Sequence, residues 1–215
     1  MAGLLTLAPK GSLANMIDSA AGIVLRGGVL AYPTETFYGL GVDATNEQAI
    51  RKIFEIKGRD FKNPISLIIG DLKDLHPLVR HITDSAQKLM DAFWPGPLTI
   101  VFEAADGVSP LLTAGTGKIG IRLTSHDVAR QVAAKAGKPI TATSANLSGA
   151  PECATANEVL HQIGDKIDAV IDLNEKGGAI GSTIVDATSE PLIILRQGVI
   201  SQEAIAEIAP VQKCL

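Results

Sequence analysis

The sequence has few cysteines, few aromatic residues and no long hydrophobic run. Cys153 and Cys214 are too few for a disulfide framework or a four-cysteine zinc site, and we expect two reduced thiols. Aromatic residues make up 4% of the chain, so Ile, Leu, Val and Ala must build most of the core. No apolar run approaches the roughly 18 residues of a membrane span, and no leader-like segment begins the chain. The sequence therefore predicts a cytoplasmic protein without a membrane partner.

Positive charge is scarce for a protein that binds nucleic acid. The 19 Lys and Arg residues against 23 Asp and Glu residues give a formal net charge of −4. Nucleic-acid-binding proteins usually carry a basic surface, because Lys and Arg displace counterions from the phosphates. The charge therefore disfavours a general RNA-binding role, although a local basic cleft remains compatible with it.

Hydrophobic periodicity predicts helices interleaved with short strands. Ser12 can cap a helix that stops at Gly27-Gly28, and Thr45 with Gln48 has the spacing of a capping box before a helix over 46–56. Further helices are predicted over 83–93, 126–136, 155–162 and 201–209. The predicted strands are Val29–Tyr32, Ile65–Ile69, Leu98–Phe102, Ile119–Leu123, Ile140–Thr143, Ala169–Ile171, Thr183–Val185 and Leu192–Leu195.

This alternation predicts a layered α/β fold. The connection between the last two strands is too short for a crossover helix, so we expect a mixed parallel and antiparallel sheet. The sequence contains no internal repeat and no Pro/Ser-rich linker, which favours one domain over residues 1–215.

Residues 32–41, YPTETFYGLG, form a polar segment directly after the first of these strands. Pro33 restricts the backbone at the strand exit, and Thr34 and Thr36 offer hydroxyl groups. Gly39 and Gly41 permit close backbone approach or positive φ. Taken alone, the segment fits a strand-to-turn transition, with a ligand site as the alternative.

Two cations, Lys57 and Arg59, flank Gly58 at the end of the helix over 46–56. Cations at this position can complement the helix dipole, which is worth about 0.3–1 kcal/mol. Alternatively, the Arg fork and the mobile Lys charge can clamp an anion. Taken alone, the pair favours the dipole interpretation, and we expect Lys57 beside the helix-ending glycine to be solvated.

Hydroxyl groups also follow a later strand, in residues 141–149 (TATSANLSG). Ligands of open α/β sheets gather at the carboxyl ends of strands, although a polar loop is an equally ordinary interpretation of Ser, Asn and Gly. Arg122 and Arg196 each continue an apolar strand pattern, which favours a position facing an anion or cleft over a core position, although an exposed strand end explains each one alone. Ser182 precedes another strand and adds a hydroxyl.

Motifs for other chemistries are missing. The sequence has no Walker-type Gly-rich loop, no His-Glu-x-x-His zinc helix and no Gly-x-Ser-x-Gly nucleophile elbow around Ser144. The four histidines share no motif, so we assign them surface or core positions.

Taken together, the chain resembles the YrdC-like threonylcarbamoyl-adenylate synthase family, from about residue 10 to residue 205. Seven segments stand in the family's order, and together they favour a ligand site over the simpler interpretation of each one. These segments are YPTETFYGLG, KGR, WPGPLT, IGIRL, TSANLSG, GSTIVD and ILRQG.

The resemblance implies a fold and a set of site residues. The implied fold has three layers around a single twisted mixed sheet with a concave, locally positive face. The family's signature quartet maps to Lys57, Arg59, Ser144 and Asn146, expected to hold the nucleotide phosphates and the carbamoylated amino acid. The remaining implied residues are Thr34, Arg122 and Ser182 on the threonine and bicarbonate side, and Arg196 near the nucleotide.

The implied reaction condenses L-threonine, bicarbonate and ATP into threonylcarbamoyl-AMP and pyrophosphate, with Mg²⁺ accompanying ATP and no protein metal site. The implied partners are proteins that transfer the product to tRNA. One departure is Asp60, where many relatives have Pro; this carboxylate can orient Arg59, help hold Mg²⁺ or weaken ATP binding. The chain resembles the short form of the family, without the extra C-terminal domain of longer members.

The sequence is compatible with two alternative functions. One is an RNA-binding paralogue with weak or no synthase activity, which would bind RNA through the local basic cleft. The other is a sugar-phosphate enzyme of the related dihydroxybutanone-phosphate synthase fold, which would need an acidic metal-binding loop. The sequence shows no paired acidic motif at a strand end.

Overall fold

The computed structural model describes residues 5–7 and 12–212. Cys214 lies outside these residues, and Cys153 is buried and free. The helices are α1 (Leu13–Leu25), α2 (Glu47–Lys57), α3 (Asp84–Phe93), α4 (Pro110–Thr113), α5 (Asp127–Ala136), α6 (Ala156–Ile163) and α7 (Gln202–Ile208). The strands are β1 (Leu5–Leu7), β2 (Leu30–Tyr32), β3 (Gly39–Gly41), β4 (Leu67–Ile68), β5 (Leu98–Glu103), β6 (Lys118–Arg122), β7 (Ile140–Thr141), β8 (Thr143–Ser144), β9 (Ala169–Ile171), β10 (Thr183–Asp186) and β11 (Ile193–Arg196).

Side-chain caps begin the first two helices. Ser12 accepts a hydrogen bond from Ala14 N, as its predicted capping role requires. The predicted capping box at Thr45 is wrong, because Asn46 caps α2 and accepts from Gln48 N and Ala49 N. The Thr45 hydroxyl instead donates to Asp43, which shows how a local acceptor competes with the helix end.

The strands form two hydrogen-bonded sheets instead of the single predicted sheet. The first has the order β1-β9-β2-β3-β8 and the second β11-β10-β5-β6-β4-β7, and both contain parallel and antiparallel pairs. The predicted strand over 140–143 divides because its backbone changes partner. β7 pairs with β4 in the second sheet, whereas β8 pairs with β3 in the first.

Two hydrophobic cores separate the layers. Along β2, Leu30 and Tyr32 point into one core and Ala31 into the other, as the two-residue period of a strand requires. Helices α1 and α5 pack into the first of these cores, and α2, α3, α6 and α7 contribute to the second. The predicted α/β class, mixed sheets flanked by helices, is confirmed.

Two strands of the first sheet are absent from the predictions, and β3 shows why. Gly39 and Gly41 are poor strand formers, yet a Cβ at either position would lie 2.6 Å from the Tyr32 ring. The two glycines therefore let the Tyr32 ring lie against β3, where its hydroxyl donates to Thr141 O at 2.7 Å. Their predicted close approach is correct, and neither needs positive φ.

The packing of α5 on β4 gives a testable prediction. A Cβ at Gly70 would lie 2.5 Å from Ala134 N, a helix backbone atom that cannot move independently. We expect Gly70→Ala to lower the free energy of unfolding by about 1–3 kcal/mol. Urea denaturation measures this change, with the unobstructed and exposed Gly107 as the matched Gly→Ala control. Equal stability of the two variants would contradict the tight packing.

No helix among residues 5–7 and 12–212 is both long enough and apolar enough to cross a membrane.

Candidate active site

A cavity lies between the two sheets and holds about 230 Å³ that water can occupy. Thr34 follows β2, Ser144 ends β8, Arg122 ends β6 and Arg196 ends β11, so the ends of four strands reach it. Six of the eight predicted site residues line it: Thr34, Arg59, Arg122, Ser144, Ser182 and Arg196. The other two, Lys57 and Asn146, do not line the cavity and lie behind Ser144.

Three arginines make the cavity locally positive. Arg59, Arg122 and Arg196 line it, whereas Glu152 is the sole carboxylate among its described lining residues. Within residues 12–212, neither Arg59 nor Arg196 forms an ion pair with a carboxylate. A cleft lined by unpaired cations attracts anions. The prediction of a concave, positive face therefore agrees with the geometry, despite the net charge of −4.

Arg122 has one nitrogen, Nε, without an acceptor among the described residues, and a second, Nη2, whose close acceptor Glu35 is poorly aligned. Its side chain is 7% exposed, and its Nη1 donates to Thr36 Oγ1 at 3.2 Å. Its Nη2 lies 2.6 Å from Glu35 Oε2 as an ion pair, but without the alignment of a hydrogen bond. Nε and Nη2 are buried without hydrogen-bond partners. Because buried N–H groups cost free energy when unpaired, this side chain is suited to receive an anion.

Arg59 is held at the cavity by one contact outside helix α2 and by one with a side chain of that helix. Its Nη2 donates to Pro64 O at 3.3 Å, and its guanidinium lies 5.5 Å from the centre of the Phe54 ring. Nε is buried without a partner, and burial lowers the pKa of Arg59. Arg59 therefore faces the cavity with donor capacity to spare, which favours the anion clamp over the helix-dipole interpretation.

Lys57 is not solvated, so that expectation is wrong. The residue is 4% exposed, and its ammonium group contacts Ser144 O at 2.5 Å and both Asn146 O and Asn146 Oδ1 at 2.9 Å. Three acceptors use all three N–H donors of a lysine. Burial, followed by repulsion from Arg59, lowers the pKa of Lys57 to about 8. The end of α2 packs against the 144–148 loop, where Ser148 N donates to Lys57 O, and this contact buries the side chain.

Asn146 connects Lys57 to Ser144. Its Oδ1 accepts from Ser144 Oγ at 2.7 Å as well as from Lys57, and its Nδ2 donates to Ala150 O at 2.6 Å. Asn146 is 5% exposed, whereas Ser144 lines the cavity. The signature quartet is therefore divided into two residues at the cavity and two behind it.

Thr34 and Ser182 both use their hydroxyl groups within the protein. Thr34 Oγ1 donates to Phe37 O at 2.7 Å and accepts from Thr36 N at 3.1 Å, so it shapes the turn after β2. Ser182 Oγ accepts from Arg196 Nη2 at 3.0 Å and lies 3.0 Å from Thr99 Oγ1. Since its proton goes to Phe37 O, Thr34 Oγ1 also accepts from Thr36 Oγ1 at 3.0 Å, and its donor and acceptor capacity is then used within this turn.

Residues 22–198 match the family model Sua5_yciO_yrdC, whose description is "Telomere recombination". This range contains all eight predicted site residues and most of the chain. The chain belongs to the Sua5/YciO/YrdC family. The resemblance inferred from seven short motifs is thereby confirmed.

Named relatives of this Sua5/YciO/YrdC chain include two curated proteins, each called threonylcarbamoyl-AMP synthase. The Pyrococcus abyssi protein is 37% identical over 89% of this chain and 56% of its own length. The Bacillus subtilis protein is 38% identical over 91% of this chain and 57% of its own length. The chain thus spans little more than half the length of these curated relatives.

A solved structure also resembles this family member. The structure of P. abyssi Sua5 complexed with L-threonine superposes with a TM-score of 0.90 and 33% identity. The match covers 97% of this chain and 62% of the solved one.

Two further acidic residues of this family member, Asp60 and Glu35, have clear positions. The Asp60 side chain is 59% exposed, accepts from Lys62 N, and does not line the cavity. It therefore does not orient Arg59. Glu35 was not predicted as a site residue, yet it forms the ion pair with Arg122. The sequence signal that could have indicated a role for Glu35 was its position between two threonines in the YPTETFYGLG segment.

The described part of this Sua5/YciO/YrdC chain contains no group of three His, Cys, Asp or Glu side chains that could hold a metal ion. Mg²⁺ that arrives with a nucleotide is held largely by phosphate oxygens and water, and needs only one or two carboxylates. Glu152 at the cavity is compatible with that limited role.

Proposed function

We propose that this chain condenses L-threonine, bicarbonate and ATP into threonylcarbamoyl-AMP and pyrophosphate, as a nucleotidyltransferase that serves tRNA threonylcarbamoyladenosine formation. The observation that carries the proposal is the cavity in which Arg59, Arg122 and Arg196 converge with hydroxyl groups. The names of the two curated relatives and the L-threonine complex of P. abyssi Sua5 support the same reaction.

The chemistry asks the protein to bring anions together. The amino group of threonine captures CO₂ derived from bicarbonate and becomes a carbamate. A carbamate oxygen then attacks the α-phosphorus of ATP, the bond to the β-phosphate oxygen breaks, and pyrophosphate leaves with that electron pair. Both reactants are negatively charged, so positioning and charge stabilisation are the main contributions of the site.

The residue roles in this proposal are supported by the contacts around the cavity. Arg59 and Arg196, which lack carboxylate partners among residues 12–212, bind the triphosphate. Arg122 binds the carboxylate of threonine, and Ser144 orients the carbamate or the α-phosphate. Lys57 and Asn146 support the loop that carries Ser144. On the threonine and bicarbonate side, Thr34 shapes the turn after β2, and Ser182 lies beside Arg196 at the cavity.

Mg²⁺ belongs to the substrate in this proposal, because it enters with ATP and offsets phosphate charge. The downstream tRNA-modifying proteins, weak RNA binding, cytoplasmic localisation and a single domain over residues 1–215 remain predictions from the sequence.

The proposed function predicts that pyrophosphate release from MgATP requires both threonine and bicarbonate, because the attacking carbamate is assembled from them. A coupled pyrophosphate assay on the purified chain, in buffer freed of CO₂, measures the rate with each component omitted. We expect each omission to reduce the rate to the level of the enzyme-free blank. Equal release without threonine would reject the synthase, and turnover of ribulose phosphate would favour the sugar-phosphate alternative.

A further inference from the structure

We propose that Glu35 is a positioning residue that prepares Arg122 for the carboxylate of an amino acid and keeps the triphosphate away from it. This proposal rests on the proposed function. Glu35 does not line the cavity, but it contacts Arg122, which does. Glu35 therefore acts on the substrate through Arg122.

Contacts between two chain segments, residues 35–36 and residues 122–125, fix the pair. Glu35 Oε2 lies 2.6 Å from Arg122 Nη2 and accepts a hydrogen bond from the Thr124 hydroxyl. Glu35 Oε1 accepts from Ser125 N at 3.1 Å. Thr36, on the same turn as Glu35, accepts from Arg122 Nη1 at 3.2 Å. Both carboxylate oxygens of Glu35 accept hydrogen bonds, so the carboxylate has a fixed orientation. The Arg122 guanidinium in contact with it therefore has little freedom to rotate, and its unpaired N–H groups keep one orientation.

The charge of Glu35 is retained at neutral pH. Burial alone would raise the pKa of Glu35, but Arg122 and the hydrogen bonds from Thr124 and Ser125 outweigh burial and lower the pKa. The Glu35 side chain is 19% exposed and the Arg122 side chain 7% exposed, so the two charges offset each other in a poorly solvated place. The pair therefore has almost no net charge while Arg122 still offers donors.

This neutral pair differs from the other two cations of the cavity. Arg59 and Arg196 form no ion pair with a carboxylate among residues 12–212, although Glu152 lies near Arg196, so their charges favour the polyanionic triphosphate. Arg122, with its charge offset by Glu35, competes poorly for a polyanion but still suits the single carboxylate of a zwitterionic amino acid. Glu35 thus separates a nucleotide side of the cavity from an amino-acid side.

The test is Glu35→Gln, which keeps the size of the side chain and removes its charge. We expect the KM for threonine to rise at least about fivefold and the KM for ATP to change less than about twofold. The freed charge of Arg122 should also make excess MgATP a competitive inhibitor against threonine. Glu175→Gln is the control, because the Glu175 side chain is 65% exposed and lies 3.8 Å from His126 Nε2.

A double-mutant cycle with Arg122→Met tests whether Glu35 acts through Arg122. Glu35→Gln should change the KM for threonine less than about twofold in the Arg122→Met background, because the positioned group is gone. Equal effects in both backgrounds, or equal changes in the two KM values, would overturn the proposal. If Glu35→Gln does not fold, Thr124→Val removes one hydrogen bond to Glu35, and it should raise the threonine KM alone by about two- to threefold.

Calorimetric titration of L-threonine into the wild type and Glu35→Gln tests the positioning role of Glu35 separately from the proposed synthase reaction. Threonine binding that weakens in Glu35→Gln, together with no pyrophosphate release by the wild type, would reject the proposed reaction and support the positioning role. Pyrophosphate release by the wild type, together with unchanged threonine binding in Glu35→Gln, would support the proposed reaction and reject the positioning role.

Discussion

Lys57→Met should destabilise the protein and remove most of its activity. The substitution deletes an ammonium group that three acceptors surround: Ser144 O, Asn146 O and Asn146 Oδ1. These acceptors would lose a charged donor in a place that water reaches poorly, which costs about 1.5–3 kcal/mol per hydrogen bond. Removing the buried charge relieves part of its desolvation cost, so we expect a net loss of about 2–3 kcal/mol.

Thermal unfolding measures this change, and for a chain of this size we expect the Tm to fall by roughly 4–12 °C. The pyrophosphate rate, measured well below the Tm, should fall at least about tenfold because Ser144 loses its fixed position. Lys62→Met is the control, since the Lys62 side chain is 88% exposed and its change should lie within about 0.5 kcal/mol. An unchanged Tm in Lys57→Met would contradict the buried network.

Arg59→Lys should reduce activity at least about tenfold and leave stability unchanged. The change keeps the positive charge and removes the planar fork that can bind two oxygens at once. Losing one charge-assisted hydrogen bond in a preorganised site costs about 2–4 kcal/mol of transition-state stabilisation, or roughly 30- to 1,000-fold in rate. The expected loss of activity is smaller than this range, at least about tenfold, because a lysine can still make a point contact with the triphosphate.

Steady-state kinetics with MgATP varied, together with thermal unfolding, decide this prediction. Arg51→Lys is a matched control on α2, because Arg51 is exposed and lies over the Phe61 ring at 5.7 Å instead of facing the cavity. We expect the control to keep wild-type turnover. Wild-type turnover in Arg59→Lys would return Arg59 to the helix-end role.

The two predictions differ because the structure separates residues that the motifs group together. The spacing of Lys57 with Arg59, and of Ser144 with Asn146, suggests four equivalent ligand contacts. In the fold, Arg59 and Ser144 line the cavity, whereas Lys57 and Asn146 lie behind them. We therefore expect Lys57 variants to change stability and activity together, and Arg59 variants to change activity alone.

Most regular elements could be predicted from local pattern. The helices over 83–93 and 126–136 and the strand Ala169–Ile171 agree with the structure within a residue at each end, because their apolar spacing matches their burial. The missed strands have weak local signals. β3 contains two glycines that are explained only by the Tyr32 ring against them.

The sequence by itself determined the α/β class, the family and the six predicted residues that line the cavity, because these depend on periodicity and on the order of short motifs. Only the tertiary structure decided that Lys57 is buried, that Glu35 pairs with Arg122, and that the strands form two sheets. Burial and ion pairing depend on residues distant in the chain, such as Lys57 and Ser144, which are 87 positions apart. Local spacing carries no information about which of these side chains meet, or about how much water remains between them.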